Sequence, residues 1–212
     1  MHFVIFTGGT LQKDRAVEKV LKNFDKIIAV DSGASHCDKF KLIPDFVVGD
    51  FDSIDKKLLI KFEKLGSKIL RFPEEKNETD TEIGIQTAID HGATKISVLG
   101  GLAGDRIDHI LANVLIPIRY KIPVYFASGN QTLWLAKGPK TEKIKGSKTD
   151  LLSLIPLSPT VDGIATKGLK YVLGNEKLNL GKTRGVSNVF MRRSVEVNWK
   201  KGTLLLIHTS LA

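Results

Sequence analysis

The sequence predicts an α/β fold in two parts: an N-terminal three-layer α/β domain with a parallel sheet over residues 1–127, then an all-β module, sandwich or barrel-like, over 128–212. Two observations carry this. Short apolar runs rich in branched residues alternate with helical periods through the first part, as in a parallel sheet covered on both faces. From Ser128 on the helical period stops, and short runs recur between Gly, Pro and Asn turns, which suits a sandwich or barrel.

In chain order, the predicted strands of the first part are Phe3–Phe6, Lys26–Val30, Phe46–Val48, Lys68–Phe72, Lys95–Leu99 and Pro123–Phe126. Val17, Val20, Leu21 and Phe24 fall at i, i+3, i+4 and i+7 between the first two, and Leu58, Leu59, Phe62 and Leu65 nearly repeat the spacing, so both stretches read as amphipathic helices. Thr79 and Glu82 write a T-x-x-E capping box, placing Asp80 in the first turn of a helix near its positive end. The next helix carries Ile107, Ile110, Leu111, Val114, Leu115 and Ile118 on one face. Arg106, His109 and Asn113 take the opposite arc, with Asp108 on the border. In the second part the runs are Thr132–Ala136, Leu151–Ile155, Leu169–Leu173, Ser194–Trp199 and Thr203–Thr209, after a boundary near Ser128-Gly129-Asn130.

Composition excludes several classes. With 42% hydrophobic and 26% charged residues, the chain is not of disordered type. No apolar stretch approaches the roughly 20 residues a membrane helix needs, and the opening MHFVIFTGGT reads as a strand, not an export signal. The single Cys37 excludes an intrachain disulfide; it reads as a packed thiol in a reducing cytoplasm. There are 32 Lys and Arg against 23 Asp and Glu, a formal +9. The lysines are scattered at wet helix-face spacings (Lys56, Lys57, Lys61, Lys64, Lys68), and aromatics are only 7%. That predicts no nucleic-acid partner but some attraction for small anions.

Against this basic balance, carboxylates crowd the carboxyl ends of the predicted strands, where open α/β sheets bind ligands. Asp31 follows the second strand, Asp50 and Asp52 the third, Asp80 the fourth, and Asp105 and Asp108 the fifth. Asp55 reads instead as the N-cap of the next helix. Two carboxylates about 4 Å apart repel by roughly 4 kcal/mol at an effective dielectric near 20, a large fraction of a total stability of about 5–15 kcal/mol. A hard dication reverses the sign, and an all-oxygen donor set suits Mg²⁺ working with substrate phosphates. Lys76 and Arg106 can face those phosphates. Gly8-Gly9 lacks P-loop spacing, and no GxGxxG occurs.

Four blocks in order, DSGASH (31–36) with IPDFVVGDFDSI (43–54), KNETD (76–80), GG…RIDH…AN (100–113), and GLKYVL (168–173) with GVSNVF (185–190), resemble the thiamine pyrophosphokinase family over nearly the whole chain. The resemblance implies transfer of the pyrophosphoryl group of ATP to the hydroxyl of thiamine, giving thiamine diphosphate and AMP. It implies an N-terminal α/β domain followed by an all-β, jelly-roll-like sandwich, and a homodimer with active sites at the subunit interface. By matching position, Asp31, Asp50, Asp52, Asp80 and Asp108 form the acidic Mg²⁺/ATP cluster, with Asp31, Asp50, Asp52 and Asp80 on the metal. Lys76, Arg106 and His109 turn to ATP, while Ser187, Asn188 and Phe190 hold thiamine, the Phe190 ring stacking on the vitamin. Asp50, Asp52, Asp80, Asp108 and Arg106 are the expected catalytic set. The chain departs from the family's usual Gly and Asn at Ser32 and Ser35, and from its usual Gly at Asp105. The alternatives are a pyrophosphokinase for another alcohol, such as a hydroxymethyl pterin, and a non-catalytic nucleotide- or thiamine-binding protein.

Overall fold

The computed structural model describes residues 1–211. The chain divides into units of residues 1–129 and 130–212, each taken by itself below.

The first unit runs β1 (His2–Phe6), α1 (Arg15–Leu21), β2 (Lys26–Val30), α2 (Ala34–Lys39), β3 (Phe46–Gly49), α3 (Lys56–Lys64), β4 (Lys68–Arg71), α4 (Asp80–Asp90), β5 (Lys95–Leu99), α5 (Ile107–Leu115) and β6 (Val124–Ser128). Its strands pair in parallel in the order β6-β5-β1-β2-β3-β4. Alternate strand residues serve the two faces. Val4, Phe6, Ala29 and Val47 pack with Val17, Cys37 and Phe62 of α1, α2 and α3 in one buried core. Ile5 and Val30 point the other way, against α4, where Gly84 lies so close that a Cβ would stand 2.6 Å from Val30. The result is three layers. From β1 the chain adds strands on one side through β4, then crosses back to add β5 and β6 on the other. The carboxyl ends of β1 and β5 therefore flank a switch point, where a crevice opens.

Asp55 caps α3, accepting from the Lys57 amide at 2.9 Å. Thr79 caps α4 through the Glu82 amide at 3.3 Å; Glu82 itself pairs with Arg119, so only half of the predicted capping box forms. α5 departs more sharply from expectation. Ile107, Leu111, Leu115 and Ile118 are 71%, 58%, 48% and 56% exposed, while Asn113 on the opposite arc is the buried residue of the helix. Periodicity located the helix and its two faces; it could not tell which face the fold covers. No helix among the described residues is long and apolar enough to cross a membrane.

The second unit contains β7 (Gln131–Lys137), β8 (Lys140–Lys145), β9 (Leu151–Pro156), β10 (Thr160–Lys167), β11 (Gly174–Asn179), β12 (Asn188–Val189), β13 (Ser194–Trp199) and β14 (Thr203–Thr209). They form antiparallel sheets in the orders β12-β9-β14-β7 and β11-β10-β13-β8. Leu152, Leu154, Leu204 and Leu206 of the first, and Val161, Ile164, Val195, Val197 and Trp199 of the second, are buried, the inward-facing alternation of a sandwich. The predicted strand Leu169–Leu173 is instead an excursion between β10 and β11, closed where the Thr166 amide donates to the Leu173 carbonyl (2.9 Å) and the Leu173 amide to Thr166 Oγ1 (2.9 Å). β8, β10, β11 and the two-residue β12 have no counterpart in the sequence reading: polar residues dominate β8 and β11, and Asp162 and Gly163 interrupt the apolar positions of β10, so none leaves an apolar run.

Candidate active site

The site grows from strand ends. Past β2, Asp31 adopts φ 44°, a left-handed conformation unusual for a non-glycine residue and frequent at functional positions. Its buried carboxylate turns over the end of β3 and accepts from the Phe51 amide at 3.3 Å. Gly49 makes room for it: φ is +152°, and a Cβ there would lie 1.7 Å from Asp31 Oδ1. Past β3, Asp50 folds back to accept from the Asp52 amide at 3.0 Å. Arg71 at the end of β4 donates to the Asp50 carbonyl at 2.8 Å and lies over the Phe51 ring at 4.7 Å. Lys76 stands between two carboxylates, 2.7 Å from Asp80 Oδ1 and 3.7 Å from Asp50 Oδ2. Its Nζ and Asp80 Oδ1 are both shielded from solvent, and the short contact together with the Asp80 charge holds the ammonium in place.

Glycines line the opposite wall. After β1 come Thr7, Gly8 and Gly9; after β5, Gly100 and Gly101. A Cβ on Gly9 would fall 2.1 Å from the Gly100 carbonyl oxygen, and one on Gly8 2.1 Å from Ser32 Oγ. The His36 ring nitrogen Nε2 reaches the Gly9 carbonyl at 2.8 Å, and Asn113 donates to the Gly101 carbonyl at 2.8 Å. His36 holds its loop from outside the cavity, while Asn113 also lines it.

These walls enclose a cavity of about 410 Å³ within the first unit, lined by Asp31, Asp50, Asp52, Asp80, Asp105, Arg106 and His109, among others. Its electrostatics are acidic. Burial, then the charges of Asp80 and Asp50, push the Asp31 carboxyl up to about 6. The Asp52 amide bond, helped by Lys76, holds Asp50 below the usual carboxylate value. Burial depresses Lys76, but Asp80 and Asp50 more than offset it, leaving the ammonium above its ordinary value.

Asp31, Asp50, Asp52 and Asp80 thus come together on one cavity, with Lys76 tied to two of them. Asp108 does not line it. It is exposed and forms a two-bond pair with Arg106, at 2.9 and 2.6 Å, and that bond lowers its carboxyl to about 2. Ser32 lines the cavity; Ser35 does not. Gly100, Gly101 and Asn113 belong to the GG…RIDH…AN block read from the sequence, whereas the Gly8-Gly9 wall, marked there only as lacking P-loop spacing, contributes backbone shape that carries no side-chain signal.

In the second unit, Ser187 is exposed at φ 55°, its amide donating to Ser153 Oγ at 3.0 Å. Asn188 is buried, and its amide group is committed to the Tyr171 backbone: Nδ2 donates to the carbonyl at 2.7 Å, and Oδ1 accepts from the amide at 2.9 Å. Phe190 is buried too, stacked on His208 at 5.2 Å between centroids. The exposed ring on the segment that Asn188 clips is Tyr171, which sequence reasoning passed over.

A parallel sheet whose carboxyl ends gather aspartates, a lysine and glycine-lined backbone has the chemistry to receive a polyphosphate, as in transferases of the kinase type. Residues 17–125 match the family described as thiamin pyrophosphokinase, catalytic domain, and residues 140–204 the thiamin pyrophosphokinase vitamin B1 binding domain. The chain belongs to the thiamin pyrophosphokinase family. It is 25% identical over 186 residues to the thiamine pyrophosphokinase of Bacillus subtilis (strain 168), covering 86% of each chain. It is 29% identical over 156 residues to thiamin pyrophosphokinase 1 of Caenorhabditis elegans, covering 68% of this chain and 62% of that protein. The crystal structure of the Bacillus subtilis enzyme superposes with a TM-score of 0.86 at 23% identity over the whole of both chains. The solved structure of thiamin pyrophosphokinase from Candida albicans gives 0.78 at 20% identity, over 99% of this chain and 90% of that one. Both show the same fold.

Proposed function

We propose how this chain carries out the reaction of its family, ATP-dependent pyrophosphoryl transfer to thiamine. The observation that carries the reading is the convergence of Asp31, Asp50, Asp52 and Asp80 on one glycine-walled cavity with Lys76 between two of them. The thiamine hydroxyl oxygen bonds to the β-phosphorus of ATP as the bond from that phosphorus to the α-phosphate bridging oxygen breaks. AMP leaves with those electrons. Asp80, which lines the cavity, is better placed than the exposed Asp108 to take the hydroxyl proton. Lys76 and Arg106 orient the phosphates and offset their charge, so catalysis is positioning and electrostatics.

Among the described residues no group of three or more His, Cys, Asp or Glu is arranged to enclose a metal ion. The donor chemistry nevertheless fits Mg²⁺, which takes one or two carboxylates and completes its shell with waters and phosphate oxygens. The solvent-shielded Asp80 Oδ1 and the raised proton affinity of Asp31 are both features that a cation would relieve. Asp31, Asp50, Asp52 and Asp80 are the residues to hold it, and when bound it supplies charge neutralisation on the polyphosphate.

The second unit takes the vitamin. Ser187 is exposed in a strained conformation, and Tyr171, with Phe190 buried, offers the accessible ring for a flat cationic heterocycle. The match to a vitamin B1 binding domain speaks against a pterin alcohol. A second copy covers the apolar face of α5, making the homodimer, and the free buried Cys37 suits the cytoplasm. Incubation with ATP, Mg²⁺ and thiamine, followed by mass analysis, tests the reading: thiamine diphosphate and AMP should appear in equal amounts, whereas ADP with thiamine monophosphate, or no product, refutes it.

A further inference from the structure

β12, which carries the residue after Ser187, is two residues long and lies at the edge of its sheet. Two ladder positions, Asn188 opposite Leu152 and Val189 opposite Leu151, are too few to hold a left-handed serine in a fixed place. Something else must fix the strand's far end. Phe190 follows immediately; its amide donates to the Asp150 carbonyl at 2.8 Å, and its carbonyl accepts from the Thr149 amide at 3.0 Å. The Phe190 ring lies on the imidazole of His208. The buried Asp150 carboxylate accepts from the Ser147 amide at 2.8 Å and the Leu211 amide at 3.0 Å, and meets His208 Nε2 at 2.9 Å. Gly146 closes the cluster: a Cβ there would stand 2.7 Å from Asp150, 2.9 Å from His208 and 3.0 Å from Phe190.

We infer that the buried Asp150–His208 pair is a positioning device for thiamine, bracing Phe190 and through it the exposed Ser187. The inference rests on the reading of Ser187 as a thiamine contact. Asp150 ties together the ends of four segments, and His208 transmits that rigidity to the one ring that anchors β12. A brace of this kind affects one substrate and not the other, since none of these residues lines the ATP cavity of the first unit.

The test compares His208→Phe, which keeps a ring and loses the donor to Asp150, with His208→Gln, which keeps a donor. His208→Phe should raise the KM for thiamine about tenfold, the scale of one lost charge-assisted hydrogen bond. The KM for ATP and kcat should stay within about twofold, and His208→Gln should recover most of the loss. Hydrogen exchange without substrates should speed up over residues 187–190 in His208→Phe. An unchanged thiamine KM, an equal rise for ATP, or a kcat that falls with both KM values unchanged overturns the inference. Should His208→Phe prove unfolded, Phe190→Leu, which removes the stacked ring and keeps apolar volume, takes its place with the same expected and contrary results. Exchange reads the brace alone, so a parent protein that forms no AMP defeats the proposed function separately.

Discussion

Gly49 shows how one residue couples the end of a strand to the site. Its φ of +152°, and the 1.7 Å that would separate a Cβ from Asp31 Oδ1, leave room for hydrogen alone. Gly49→Ala must swing the Asp31 carboxylate away or shift the end of β3. We expect a loss of about 2 kcal/mol or more, hence a melting temperature lower by roughly 4–8 °C, together with most of the turnover; thermal unfolding beside an AMP assay checks both. At this scale much of the acidic site was legible. Asp31, Asp50, Asp52 and Asp80 each follow an apolar run directly or open the next helix, and strand ends in an open sheet face one crevice. Less legible were the residues that work through shape. Gly8 and Gly9 carry no side-chain signature, and Phe190 gave no sign that its ring is buried against His208, since alternation assigns a face and not what covers it.

Among the elements, α5 is the one whose energetics remain open in a single chain. Ile107, Leu111 and Leu115 of α5, with Ile118 just beyond its end, face outward along one stripe, each worth about 1.5–3 kcal/mol on full burial. In the proposed homodimer that stripe is the contact, so Leu111→Glu with Leu115→Glu should convert a dimer to a monomer in light scattering while circular dichroism stays unchanged. A parent that is already monomeric, or a double variant that remains dimeric, removes α5 from the interface. Periodicity gave the helix its correct place and faces, but helical periods encode amphipathicity, not the identity of the covering surface. The same limit hid β8 and β11, whose outward positions are mostly polar, and β10, broken by Asp162 and Gly163, and it turned the apolar run Leu169–Leu173 into a false strand. That run is apolar because Leu169 and Leu173 are buried, while its Tyr171 and Val172 are exposed.

Across the whole molecule, the basic balance and the acidic crowding belong to different units. Residues 1–129 carry 18 Lys and Arg against 18 Asp and Glu, and residues 130–212 carry 14 against 5. The excess of +9 therefore resides in the second unit, and the aspartate cluster sits in a first unit with no net charge. Acid stability is set partly by the second unit as well. Burial alone would raise the Asp150 carboxyl, but bonds from Ser147, Leu211 and His208 hold it below its ordinary 3.8. A depressed carboxylate adds stability that is present above the unfolded value and lost as pH falls through the folded one. Asp150→Asn should therefore lower the melting temperature at neutral pH, and the gap to the parent should narrow as pH falls below about 4; a gap independent of pH contradicts this. The central claim is that carboxylates from separate strand ends act together on a polyphosphate. Its most direct test is AMP formation by Asp50→Asn and Asp52→Asn at saturating ATP, Mg²⁺ and thiamine. Each should fall at least about a hundredfold in kcat with its circular dichroism unchanged, whereas AMP release near the parent rate by both variants would contradict the account.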